Sequence, residues 1–307
     1  MSLKKLFLNI EERIKVDQIH NIVYSTKKLG ETSKYIPKAS IDKLSYTAIP
    51  LKILSDQTDS QTEKTLGTAT GFIYEYQEKY YLITNWHVVT GLNNETNVCP
   101  NLIEFPLQSS TKPFIRWKRY KVNLYADQEM GVPNWFVHPE FKEKVDVVAL
   151  KIDIPKEILV HPINGIEFDQ IKPAIADDIY ILGFPYSYTG GGNFPIWKRG
   201  SIASEPDIDL DGLPKILVDT ASRSGMSGAP VIYRRRGIHN LNDGRLTDES
   251  VFGEIQGFIG IYSGRLRSGD DYNDLRAQLG IVWKARVIEE IILGNIRDKD
   301  KPQNSKV

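Results

Sequence analysis

Three short stretches carry residue types that could together perform nucleophilic chemistry. The first is "SRSGMSGAPV", residues 222–231. Gly225 and Gly228 bracket Ser227 there, and Pro230 follows. Glycine admits backbone angles that residues with a Cβ resist. The stretch therefore reads either as a surface turn or as a tight loop presenting the Ser227 hydroxyl. A hydroxyl is a weak nucleophile and needs a base within hydrogen-bond reach. The second stretch supplies a candidate. His87 follows the apolar run "YYLITNW" and precedes "VVTG", and an imidazole can take and return a proton near neutral pH. The third is "KEKVDVVALKID", where Asp146 stands immediately before Val147 and Val148. A carboxylate at the edge of a buried run is costly unless paired, and an imidazole N–H is a suitable partner. Asp153, Asp177, Asp178 and Asp219 have similar local contexts, so Asp146 is not unique on local grounds.

The segments that must position these residues are mostly strands. "YTAIPLKIL", "GTATGFIYEY", "KYYLITNWHVV", "FIRWKRYKVNLYA" and "VDVVALKID" are rich in Val, Ile, Tyr, Phe and Thr, which predicts strands. "GFIYEY" and "YYLITN" form a hairpin through a short loop at Gln77-Glu78-Lys79. A Pro-containing connection follows, and then "DDIYILGFP", "IWKRGSIAS", "PKILVDTA", "APVIYRRR", "IQGFIGIYSG" and "QLGIVWK". Two groups of short strands with few helices predict an all-β chain built from two antiparallel six-stranded barrels. The expected division is an N-terminal extension, partly helical, over 1–44, a first barrel over 45–155, a second over 156–283, and a C-terminal helix and polar tail over 284–307. Val287, Ile288, Ile291 and Ile292 fall at helical spacing, with Gly294 near the end. The tail from Arg297 is charged and polar and reads as disordered. His87 and Asp146 belong to the first strand group and Ser227 to the second, so a site using all three would lie between the groups.

Composition bounds the partners. The 307 residues are 41% hydrophobic and 25% charged, as in ordinary globular chains. Lys+Arg and Asp+Glu are both 39. A nucleic-acid binder carries a basic excess or stripe, and Arg234-Arg235-Arg236 is too short to make one. No run approaches the ~20 apolar residues of a membrane span, and the N-terminus lacks a secretory apolar region. Neither nucleic acid nor membrane is expected as a partner, and a cytoplasmic location is. Cys99 is the single cysteine, so no internal disulfide can hold the fold. No His/Cys/Asp/Glu cluster has metal-ligand spacing, and "YTGGGNF" lacks the context of a phosphate-binding loop. No metal or cofactor is expected.

The three stretches also resemble a known family. "LITNWHVV", "DVVALKI" and "SGMSGAPV" are similar to the histidine, aspartate and nucleophile motifs of the trypsin-like (chymotrypsin-fold) serine peptidases, and most of all to their disulfide-free bacterial branch with the HtrA-type proteases. "GTATGFIY", "IGIYSG" and "LGIVWKARV" resemble three further strands of that fold, in the right order. The resemblance implies Ser227 as nucleophile, His87 as general base and acid, and Asp146 as the group that orients His87. It implies an oxyanion hole from the N–H groups of Gly225 and Ser227, and a substrate pocket at Ala221, Ser222, Ile261, Tyr262, Ser263 and Gly280. A protein or peptide substrate follows, with an uncharged P1 residue because Ala221 leaves the pocket floor without an acid. Arg265 or Asp270–Asp271 would reverse that preference if they reached the pocket. The sequence departs from the family at Met226, where zymogen-type enzymes carry an acid, and at Ala229, in place of a glycine. Met226 implies no activation by N-terminal cleavage. The alternative reading is a latent or inactive protease-fold binding module, whose oxyanion loop a regulatory protein partner would have to order.

Overall fold

The computed structural model describes residues 40–56, 63–91, 98–111, 115–127, 129–221, 223–265 and 278–299. The helical part of the expected N-terminal extension lies outside the described residues. So do Ser222, the charged stretch 266–277, the side chain of Arg265 and the tail beyond 299.

Seven strands form the first group: β1 (Ala48–Ser55), β2 (Lys64–Tyr76), β3 (Lys79–Thr84), β4 (Leu102–Ser110), β5 (Arg116–Asn123), β6 (Trp135–Val137) and β7 (Val148–Ile152). The loop between β2 and β3 is Gln77-Glu78, with φ of 49° and 61°. Two left-handed residues give the twist that a tight hairpin needs, and Tyr76 pairs with Lys79 across it. A short helix, α1 (Trp86–Thr90), follows β3 directly. Six strands form the second group: β8 (Asp178–Gly183), β9 (Ile196–Ile202), β10 (Lys215–Asp219), β11 (Pro230–His239), β12 (Val251–Arg265) and β13 (Leu279–Lys284). They close into a barrel in the order β10-β13-β12-β11-β8-β9. Helix α2 (Arg286–Gly294) and a two-residue strand, β14 (Ile296–Arg297), end the described chain.

The two strand groups are those expected, and the architecture is the mostly-β, two-sheet arrangement of a double barrel. The first sheet holds eight strands rather than six, in the order β14-β6-β7-β3-β2-β1-β4-β5. One of the two extra strands comes from the chain end, since Ile296 pairs with Val137 and Arg297 with Phe136. The disorder expected from Arg297 onward is therefore wrong at its start. Asp298 Oδ2 accepts hydrogen bonds from the indole N–H groups of Trp86 (2.7 Å) and Trp135 (3.0 Å). A two-residue strand carries no readable period, so composition alone could not reveal it.

Strand alternation sorts side chains into three clusters. On β3, Leu82 enters the first-sheet core with Ile53, Ile103, Trp135 and Leu150. Its neighbour Ile83 enters a cluster spanning both units, with Phe72, Ala149, Phe184, Ile232, Ile261 and Trp283. The four predicted helix positions, Val287, Ile288, Ile291 and Ile292, complete that middle cluster. The barrel interior holds Ile181, Ile216, Val218, Met226, Val231, Tyr262 and Val282. Each large aliphatic side chain buried this way stabilises the fold by about 1.5–3 kcal/mol. The middle cluster fixes the two units against each other, and so fixes the chemistry-bearing residues that lie along their boundary. No helix among the described residues is long and apolar enough to cross a membrane.

Candidate active site

His87 lies in the first turn of α1, three residues beyond the end of β3, and not on the strand end at which the sequence placed it. Its backbone N–H donates to Asp146 Oδ1 at 2.8 Å, and its ring Nδ1 lies 2.7 Å from Asp146 Oδ2. A carboxylate oxygen accepts, so Nδ1 carries the proton and Nε2 keeps its lone pair. One carboxylate thus fixes both the backbone and the ring of His87. The imidazole is 46% exposed and the Asp146 side chain 21%, so a substrate can reach the first while the second is shielded. Asp146 is held in turn. Val145, Val147 and Val148 around it are fully buried, and its carbonyl accepts from Asn85 Nδ2 at 2.7 Å.

Two of the other acids of similar local context have other partners. Asp177 pairs with Arg235 and Asp178 with Arg199. His138, unlike His87, is a clasp. Its Nε2 meets Glu290 of α2 at 2.9 Å and its Nδ1 accepts from the N–H groups of Glu140 and Phe141.

Ser227 sits on a loop that spans the two units. Its carbonyl accepts from Thr70 N–H of β2 at 2.8 Å. Gly228 N–H donates to the Tyr262 carbonyl, and Tyr262 N–H donates to the Ala229 carbonyl, both at 2.9 Å. Gly225 has φ +92° and Gly228 φ +83°. A Cβ on Gly228 would lie 2.1 Å from the Thr70 carbonyl oxygen and 2.4 Å from Thr84 Oγ1. Thr84 stands three residues before His87, so this close approach brings the nucleophile loop against the end of β3. A Cβ on Gly225 would lie 2.4 Å from the Phe184 carbonyl oxygen. Both glycines are therefore required by space as well as by conformation. Among the described residues, the N–H groups of Gly225 and Ser227 donate to no backbone carbonyl.

The loop has a lock in place of a buried acid. Met226 is fully buried in the barrel interior, with its sulfur against Gly183, where a Cβ would lie 2.9 Å away. The Thr70 hydroxyl donates to the Gly225 carbonyl at 2.8 Å and accepts from Phe184 N–H at 3.2 Å. Thr84 Oγ1 donates to the Thr70 carbonyl at 2.9 Å. The bond from Thr70 to the Gly225 carbonyl restrains the Gly225–Met226 peptide, and the preceding peptide, which carries the Gly225 N–H, is restrained by Tyr186 N–H donating to the Ser224 carbonyl at 2.8 Å. A Thr two residues into "TATG" carries no local sign of this role.

The residues expected to line a pocket divide. Ser263 does not face one, because its hydroxyl donates to Asp146 Oδ2. The cause is a bulge. β12 pairs Tyr262 with Val282 and then Gly264 with Ile281, which leaves Ser263 outside the ladder and re-aims its side chain. Ile261 faces the opposite way, into the middle cluster with Phe72 and Trp283, as alternation along a strand requires. Tyr262 enters the barrel interior and lies over Gly280, and Ala221 is partly buried. Ser222 lies outside the described residues.

Comparison with known proteins gives the family. No curated protein matches the chain. A solved structure of Rv3671c from M. tuberculosis H37Rv, a serine-to-alanine mutant in an inactive form, is similar at 18% identity and a TM-score of 0.39, over 81% of this chain and 86% of that one. The model of the trypsin-like peptidase domain matches residues 69–237, more than half of the chain and a span that includes His87, Asp146 and Ser227. The chain belongs to the trypsin-like peptidase domain family.

Proposed function

We propose that the protein is a serine endopeptidase that hydrolyses peptide bonds through an acyl-enzyme on Ser227. The observation that carries this reading is the double hold of Asp146 on His87, 2.8 Å to the backbone and 2.7 Å to Nδ1. It leaves Nε2 as the one ring nitrogen able to take a proton. Ser227 Oγ attacks the carbonyl carbon while its proton passes to His87 Nε2. The carbonyl π-bond electrons move onto oxygen, which is held by the N–H groups of Gly225 and Ser227. Collapse of the tetrahedral adduct breaks the C–N bond, and His87 returns the proton to the departing amine. Water then repeats the sequence on the ester and frees Ser227. Asp146 remains ionised throughout and stabilises the imidazolium.

The Thr70 and Met226 contacts favour an oxyanion loop ordered within the chain, over a latent module that needs a partner. A peptide library incubated with the protein should yield products under neutral conditions without any activating protease. Ser227→Ala should remove this hydrolysis while keeping the thermal melting temperature. Equal hydrolysis by Ser227→Ala and the parent protein would refute the proposal.

A further inference from the structure

We propose that Tyr262 fills the space beside Ser227 that would otherwise receive a P1 side chain, so that the enzyme cleaves after Gly and Ala and rejects Leu and Phe. This inference rests on the serine peptidase reading and narrows its substrate class.

The placement follows from the strands. Gly228 N–H and the Ala229 carbonyl bind the two backbone groups of Tyr262, so Tyr262 lies directly alongside the nucleophile loop. Gly280 is brought to the same place by its pairing with Val218 on β10 and Arg265 on β12. Thr220, immediately before Ala221, joins them through its N–H to the Gln278 carbonyl at 3.0 Å. In this proposal an acyl group on Ser227 with its oxygen toward the Gly225 N–H would direct its side chain between β12, which runs alongside the loop, and the 220–221 stretch. That gap is where Gly280 and Ala221 offer no bulk of their own.

The gap is occupied. A Cβ on Gly280 would lie 2.6 Å from Tyr262 Cε2, 3.1 Å from its hydroxyl oxygen and 3.2 Å from Thr220 Cγ2. The Tyr262 ring therefore crosses from β12 over Gly280 of β13, with Thr220 beside the same point. Tyr262 is 1% exposed and Thr220 3%, so ring and threonine close the gap from solvent. Met226, Val218 and Val282 lie in the same cluster and back the ring, so close packing holds it in place. What the ring leaves is bounded by Gly280 and Ala221, which bring neither bulk nor charge. Such a site admits a methyl group and excludes an aromatic one, because a rigid wall discriminates against added bulk by overlap.

The test uses peptidyl diphenyl phosphonates that differ only at P1 (Gly, Ala, Leu or Phe), each of which phosphonylates a reactive serine with loss of phenol. The parent protein should be inactivated at least about 10-fold faster by the Gly and Ala probes than by the Leu and Phe probes, the scale on which pockets sort apolar side chains. Tyr262→Val should reverse the order, raising the Leu and Phe rates relative to Ala by about 10–100-fold. Tyr262→Phe keeps the ring and should keep the parent order. A parent protein that reacts with the Phe probe as fast as with the Ala probe would overturn the inference, as would an unchanged order in a Tyr262→Val variant that melts cooperatively. Should Tyr262→Val not fold, the order in the parent and in Tyr262→Phe decides. A parent protein that reacts with no probe, and with no small fluorophosphonate either, overturns the peptidase reading itself. Reaction with the fluorophosphonate and the wrong P1 order overturns only the role of Tyr262.

Discussion

Replacing His87 by alanine should lower kcat by about 10⁵–10⁶-fold, the range seen when the base of a Ser–His pair is removed elsewhere. The proton of Ser227 Oγ then has no acceptor, and the leaving amine has no donor. The loss should fall on kcat rather than KM, because the oxyanion donors and the substrate-binding strands are untouched. Stability should change little, since the imidazole is 46% exposed and contributes little to the core. Asp146 keeps its bond from the His87 backbone N–H, which the substitution preserves. The measurement is a steady-state peptidase assay beside a thermal melt. A loss under 10-fold at an unchanged melting temperature would show that His87 is not the base.

Thr70→Val should be the second most damaging change among conservative ones. Valine has the shape of threonine, so packing survives, but two hydrogen bonds do not. The Gly225 carbonyl loses its donor at 2.8 Å and Phe184 N–H its acceptor at 3.2 Å. Each buried group left unpaired costs about 1–3 kcal/mol. The cheaper outcome is rotation of the Gly225–Met226 peptide, which displaces the Gly225 and Ser227 N–H groups on either side of it from the oxyanion. Removal of one such donor lowers kcat by about 10²–10³-fold, and Thr70→Val should approach the lower end of that range. Thr70→Ser restores the hydroxyl and should recover most of the rate. The comparison separates a positioning role from a packing one, because serine, unlike valine, sacrifices the methyl group and keeps the hydrogen bonds. Serine variants as slow as valine variants would contradict it.

These two residues also mark where the sequence was legible. His87, Asp146 and Ser227 stand next to patterned apolar runs, and runs such as "YYLITN" and "VVALKI" are dense in β-branched residues, so elements and chemistry coincide in one dimension. Helix α2 was legible for the same reason, its four apolar positions recurring on one face and all four buried. Thr70 carries no such sign. Its hydroxyl acts on a carbonyl 155 positions away, and only the folded loop makes that contact. Ser263 was placed in a pocket by the resemblance of "IGIYSG" to a family strand, which does not report the local pairing of that strand. The bulge after Tyr262 turns it to Asp146 instead, and a bulge is a property of two paired strands. Asp298 escaped for a third reason: a lone acid in a polar tail is indistinguishable from a solvated one until its two indole partners are in place.

Met226 illustrates how local departure and global consistency meet. An apolar residue beside the nucleophile looks like the loss of an ordering acid. In the folded chain its side chain is buried in the barrel interior beside Gly183, an apolar anchor worth about 1.5–3 kcal/mol. The loop is thereby held by packing on one side and by Thr70 on the other, with no ion pair to create by cleavage.

The central claim is that Ser227 is an activated nucleophile in the protein as folded. The most direct measurement is mass spectrometry after reaction with a small fluorophosphonate. One phosphonyl adduct should form with loss of fluoride, map to the peptide containing Ser227, and vanish in Ser227→Ala and His87→Ala. A cooperatively folded protein that acquires no adduct, or acquires it at another serine, would contradict the account.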